Sequence, residues 1–263
     1  MISFSEATRV RPTDRGFSVD LDPQWAVADK LHGGYLMAVL GRAVTEVAEP
    51  PHPVTISATF LRPPLPGPAT VTVETLRAGR RHAFFRARLE QEGHACLEAL
   101  VTQSTLDRAP SVWKAGPAPS LPDEHECLLL RADAPGAAFT VPLLDVVEHR
   151  LTPSSTGFLT GRPSDQGRTS GWLRRADGQD WDPLSLLVAL DPVPPVSLTL
   201  GINGWAPTLS LTAYLRRLPA PGPVRMTMQA QDIAAGRMDE TVLIWDADGE
   251  LVAQAGQLAG VRT

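Results

Sequence analysis

Cysteine is scarce. Cys96 and Cys127 are the only two in 263 residues. They stand far apart, form no CxxC and have no spacing suited to zinc. Both read as small buried apolar residues, and two thiols in a chain this size fit a reducing, cytoplasmic setting. Long apolar runs are missing too. No stretch of about 18 apolar residues occurs, so no transmembrane helix is predicted. The opening MISFSEATRVRP has no apolar h-region, so no signal peptide is expected. Aromatics make up only 6% of the chain, with no basic-aromatic stripe, and the net charge is −5. That balance argues against a general nucleic-acid surface. There is no Gly-rich phosphate loop, no Ser-His-Asp order and no G-x-S-x-G elbow, which excludes an α/β-hydrolase. No metal or redox cofactor is implied.

Repetition is what the chain has. ATFLRPPLPGP (58–68) returns as TAYLRRLPAPGP (212–223). Gly79-Arg80 returns as Gly236-Arg237, and Glu92-Gly93 as Asp248-Gly249. Each half closes on a strand-like stretch reaching a glutamine, Gln103 and Gln257. An offset of about 155 residues is a duplicated domain, since a solenoid repeats every ~20–50 residues. Two copies of one fold in one chain meet at a shared interface, and a site there draws on both.

The hydrophobic pattern divides the chain into residues 1–106, a Pro/Ala-rich linker over 107–142, and residues 143–263. In the first part TRVRP and GFSVDL read as strands. HGGYLMAVLGRAVTEV follows as a long helix, with Tyr35, Leu36, Val39, Leu40, Ala43 and Val47 on one face. EPPHP stops it. VTISATFLR, ATVTVETLR, AFFRARLEQ and ACLEALVTQS then alternate as an antiparallel meander. CLLLRA in the linker is predicted as a short helix. In the last part TGFLTGRP and SGWLRRADG read as strands. DPLSLLVAL is the counterpart helix, with Asp182 as N-cap and Pro183 as first helical residue. Four more strands follow, with a hairpin turn at Asp248-Gly249. Periodicity supports an α+β fold with antiparallel sheets.

HGGYLMAVLGRA, ATFLRP, ETLRAGRRHAFFRARLEQEG and DADGELVAQAGQLAGVR, in this order within a duplicated chain, resemble the type II (TesB-like) acyl-CoA thioesterases. That resemblance implies a tandem (double) hotdog: two antiparallel sheets, each wrapped on one long central helix and joined edge to edge. It implies hydrolysis of an acyl-CoA or related acyl thioester without a cofactor, and a homo-oligomer is compatible with it. It also implies a water-activating aspartate, threonine or serine, and glutamine in the second hotdog. The glutamine maps onto Gln257. The aspartate position is Ser210 and the threonine position is Gln231, so one of three matches. A serine cannot take a proton as a carboxylate does. Asp191 and Asp232 are the alternative carboxylates. Each also has a plain reading, as a turn residue before Pro192 and as a solvated strand-end charge.

Gly33 and Gly34 open the long helix, where backbone amides and the helix dipole favour an oxyanion. Amides near Gly34 and Tyr35 are the expected donors; tight packing is the plain alternative. His32 is either a ligand contact or structural. Tyr35, Leu36 and Phe60 are tunnel candidates or core. Arg80, in an Arg80-Arg81-His82 cluster, and Arg217 are candidates for the coenzyme A phosphates, or solvated edges. An Asp-His pair of the kind a hydratase or dehydratase needs is not visible at helical spacing. Binding of acyl-CoA without turnover is the other rival reading.

Overall fold

Alternating apolar residues build most of this molecule into one sheet. The computed structural model describes residues 2–133, 139–204 and 206–261. The first half holds α1 (Phe4–Ala7), β1 (Arg11–Thr13), β2 (Gly16–Leu21), β3 (Ala26–Val27), β4 (Lys30–Leu31) and α2 (Gly33–Thr45). Its meander is β5 (His52–Phe60), β6 (Gly67–Arg77), β7 (Ala83–Gln91) and β8 (His94–Ser104). Between the halves lies β9 (Leu128–Leu129). The second half holds α3 (Leu143–Val146), β10 (Val147–Leu151), β11 (Arg168–Arg175) and α4 (Leu186–Ala189). It ends with β12 (Thr208–Leu215), β13 (Val224–Gln229), β14 (Ile233–Ala234), β15 (Arg237–Trp245) and β16 (Leu251–Gly260).

The sheets of the two halves join edge to edge into one. Its order is β1-β2-β6-β7-β8-β5-β12-β16-β15-β13-β11-β10-β9, with β14 attached to β15, fourteen strands in all. The halves join where β5 pairs antiparallel with β12, Ser57 opposite Thr212. The Thr212 hydroxyl donates to Ser57 Oγ at 3.1 Å across 155 positions. That separation equals the repeat offset, so the local two-fold runs beside this pair.

Helix α2 lies on the concave face. His32 caps its start and Tyr35, Leu36, Met37, Val39 and Leu40 are buried within it. Burying each such side chain is worth ~1.5–3 kcal/mol. The helix is apolar all round because the sheet covers one side and α4 the other. Val47 lies beyond the helix end and is exposed.

The second central helix is not long. α4 has four residues, because the helical window sits between Pro183 and Pro192, and Pro192 bars Asp191 from the α conformation. Its bonds mix i→i−3 (Leu187 to Leu184, Val188 to Ser185) and i→i−4 (Leu186 to Asp182). Asp182 does cap the segment, accepting from the Ser185 amide at 2.7 Å.

Two local expectations also change. CLLLRA does not form a helix: Leu128 and Leu129 pair with β10 as β9. TGFLTGRP does not form a strand. Gly157 lets the Arg162 amide donate to its carbonyl at 2.8 Å, closing a turn around the 3-10 segment Gly157–Thr160. The described linker residues are tied to both halves: the Ala28 amide donates to the Thr140 carbonyl at 3.0 Å, and an earlier stretch is strapped to the second half. The Trp172 indole donates to the Pro122 carbonyl at 2.9 Å, and Arg174 holds Glu124 with two bonds.

Candidate functional site

Gln257 on β16 pairs with Glu240 on β15. Both lie in register with the inward residue Leu211 of β12, so both side chains face the concave side. Glu240 is buried at 2% exposure. Its Oε1 accepts from the Val196 amide at 2.7 Å, and its Oε2 accepts from Gln257 Nε2. Burial pushes this carboxyl up to about 7; the charges of Asp191 and Asp239 add to the effect, and the two N–H donors oppose it. Gln257 Oε1 accepts from the Thr208 hydroxyl at 3.0 Å. Thr208 faces inward because a register shift between Thr208 and Ser210 sets it opposite the buried Ala259.

A second cluster crosses the two halves. Asp191, after α4, receives the Gly34 amide on Oδ2 at 2.9 Å. His32 Nε2 lies 2.5 Å from the Asp191 carbonyl oxygen and 3.3 Å from Oδ2. His32 Nδ1 accepts from the Tyr35 amide at 3.3 Å, so Nε2 carries the proton toward Asp191. A methyl on Gly33 would lie 2.7 Å from Asp191 Oδ2 and 3.0 Å from the Phe60 ring. On Gly34 it would lie 2.3 Å from the Leu187 carbonyl oxygen. The glycines let α2 press its N-terminus onto α4 and Asp191. Among the described residues no group of three His, Cys, Asp or Glu side chains is placed to hold a metal. No helix among them is long and apolar enough to cross a membrane.

Two family models match this chain. Acyl-CoA thioesterase N-terminal domain matches residues 21–104, and acyl-CoA thioesterase C-terminal domain matches residues 122–261. The chain belongs to the acyl-CoA thioesterase family. An uncharacterized protein of Mycobacterium tuberculosis is 30% identical, over 98% of each chain. The solved structure of a candidate thioesterase II from Thermobifida fusca is 32% identical at TM-score 0.90, covering 100% of this chain and 98% of the other. A hot dog fold protein from Alicyclobacillus acidocaldarius, 20% identical over 100% and 99% of the two chains at TM-score 0.88, shares the fold.

Within this thioesterase family frame the expected residues separate. Gln257 faces inward, bonded to Glu240 and Thr208. Ser210 is on the outward face and exposed, as the neighbour of the inward Leu211, and the β12 bulge beyond it brings Thr208 inward. Gln231 is exposed in the turn after β13, its amide held at 3.0 Å by Asp239, the outward neighbour of Glu240. The adjacent Asp232 amide is held the same way, at 2.8 Å, and Asp232 is exposed. Asp191, His32, Gly33 and Gly34 come together. The amides of Gly34 and Tyr35, the expected oxyanion donors, are already bonded to Asp191 and His32. Tyr35 itself is core: it stacks on Trp25 at 5.6 Å and its hydroxyl donates to the Ala7 carbonyl at 2.8 Å. Burial drives its acidity well below that of an ordinary tyrosine. Leu36 is equally enclosed.

Neither arginine reaches this place. Arg217 donates to the Ala109 carbonyl at 3.1 Å, to Glu250 at 2.9 Å and to Ser111 at 2.7 Å, so it ties down the linker. Arg80 is exposed beside Arg81, His82, Ser104 and Thr105, at the opposite end of the sheet. Gln103 marks that end, pairing with Pro53 of β5, while Thr59 of β5 pairs with Ser210 near Gln257. Six residues of strand separate the ends by about 20 Å. Gln103 is the second copy of Gln257, yet its partner across β7 is Ala83 where Gln257 has Glu240. It is fully buried, donating to Thr45 at 3.2 Å. Glu240 and Thr208 are the residues that reading the sequence missed. The signal for Glu240 was available: a carboxylate on an inward position of a strand, between Met238 and Val242.

Proposed function

We propose that this protein hydrolyses acyl-CoA thioesters by direct attack of a water molecule, with Glu240 as general base. The observation that carries this reading is the buried Glu240 carboxylate bonded to Gln257, whose amide is bonded in turn to Thr208. A base titrating near neutrality is well matched to taking a proton from water at physiological pH. Gln257 has a second N–H with which to orient that water. The Gly33 amide, first in α2, has no hydrogen bond among the described residues and suits the developing oxyanion, favoured by the helix dipole. Water attacks the carbonyl carbon, its proton passes to Glu240, the tetrahedral intermediate collapses, and the coenzyme A thiolate leaves with that proton. Asp191 and His32 are positioning residues that clamp the first turn of α2 against the second half.

One observation favours a second reading. The contact between His32 and Asp191 is the Asp-His pair of a hydratase or dehydratase, assembled across 159 positions. Both ring nitrogens are engaged, however, one by the Tyr35 amide and one by Asp191, which leaves neither free to move a substrate proton. Thiol release from acetyl-, butyryl-, octanoyl- and lauroyl-CoA tests the first reading. An absorbance change with an enoyl-CoA and no thiol release would favour the second. Saturable binding with neither reaction would make the protein an acyl-CoA-binding hotdog.

A further inference from the structure

The space around the proposed carbonyl position is closed on its inner side. Gly34 has no room for a methyl against the Leu187 carbonyl, and Gly41 would place one 2.8 Å from Leu184 Cδ2. α2 is therefore pressed against the segment from Leu184 to Val188 at both glycines, which leaves no room for an acyl chain at those two points. The side toward β15 is filled by polar groups, Glu240 and Gln257. An apolar group beside the start of α2 is Phe60. It is the last residue of β5, half-buried, and it faces inward like Ile56 and Ala58. β5 and β16 flank β12 and Ala58 is level with Gln257, so Phe60, two residues further along β5, stands about 12 Å across from Gln257. Its ring closes on Gly33, at 3.0 Å from where a methyl there would lie. The backbone behind it is pinned, since the amides of Leu61 and Arg62 donate to the Cys96 carbonyl at 2.9 and 3.2 Å. The ring holds its place as a wall because its strand end cannot swing away.

We infer that Phe60 determines acyl specificity and restricts the site to short acyl groups of a few carbons. This rests on the thioesterase reading above. An acyl chain entering with its carbonyl at the α2 N-terminus meets the Phe60 ring, which lies against Gly33, after its first carbons.

The test compares wild type, Phe60→Ala and Phe60→Leu on butyryl- and lauroyl-CoA by thiol release. The same proteins are titrated calorimetrically with the non-hydrolysable thioethers S-ethyl-CoA and S-dodecyl-CoA. Wild type is expected to prefer butyryl-CoA in kcat/KM. Phe60→Ala should shift the lauroyl-to-butyryl ratio upward by about ten-fold or more, a discrimination that a single pocket contact commonly supplies. Phe60→Leu should fall between, and serves alone where the alanine variant does not fold. Thiol release with lauroyl-CoA as good a substrate as butyryl-CoA, or a ratio unchanged in either variant, overturns the Phe60 assignment and leaves the thioesterase reading standing. No thiol release from any chain, with S-dodecyl-CoA gaining affinity in Phe60→Ala, overturns the thioesterase reading and leaves the wall. No binding of either thioether overturns both.

Discussion

Replacing Glu240 with glutamine keeps the shape of the side chain and removes its charge. The Val196 amide still finds an acceptor. The Gln257 amide can turn over to present its oxygen, because the Thr208 hydroxyl both donates and accepts. The fold should therefore survive. The rate of thiol release should fall by ~10²–10⁴, the range for a lost general base. Wild-type kcat/KM should rise with pH through about 7 as Glu240 ionises, and the variant should lack that limb. Stability gives an independent reading of the same group. Its ordinary value of 4.5 is raised to about 7 in the folded protein. Between these values the folded state holds a proton that the unfolded chain has lost, so stability falls as pH rises from 4.5 to 7. At about 1.4 kcal/mol per pH unit, the full effect is on the order of 3 kcal/mol. Urea unfolding at pH 5 and pH 8.5 should show wild type losing about that much more than Glu240→Gln. A variant keeping a tenth of its activity, or unfolding with the wild-type pH dependence, would refute the role of Glu240 as a buried base.

Gln257→Ala should lower thiol release by ~10² or more, whereas Gln103→Ala, which lies at the end without a carboxylate, should change the rate by less than about two-fold; equal losses would place the site wrongly. Thr208→Val should cost about ten-fold through the freed Gln257 amide, while Ser210→Ala and Ser210→Asp, both on the outward face, should leave the rate near wild type; a rise in Ser210→Asp would mean that Ser210 reaches the substrate. Gly34→Ala forces a methyl onto the Leu187 carbonyl and should destabilise the fold by roughly 1–3 kcal/mol in chemical denaturation; unchanged stability would contradict the close α2–α4 contact. Arg217→Ala should loosen residues 109–111, seen as faster proteolysis of the linker, with KM for acyl-CoA unchanged; a raised KM with an intact linker would return Arg217 to coenzyme A binding.

Much of this protein was legible in one dimension. The repeat at about 155 residues announced two related halves, and the Ser57–Thr212 bond shows the same interval as a contact. α2 was readable from its apolar period and the prolines that end it, because both signals are local. Gln257 came from the resemblance, which implies a glutamine on the last strand after the Asp248-Gly249 turn. What failed was non-local or hung on one residue of register. Ser210 stood at the expected position, and a single bulge in β12 put Thr208 inward instead. The length of the second helix turned on how Pro183 and Pro192 share nine residues, too few for the pattern that α2 displays. Arg217 looked like a free cation until its three acceptors from the linker and the β15–β16 hairpin were in place.

The sequence by itself determined the duplication, the strand and helix periodicities, and the identity of the polar groups available, since each follows from the spacing of residue types along the chain. Only the tertiary structure decided which of those groups meet. It brought Asp191 to His32 and Gly34 from 157–159 positions away, and it set Glu240 against Gln257 on adjoining strands. Burial in that fold then raised a carboxylate that is ordinary in the unfolded chain to near neutrality, because removal from water penalises its charged form.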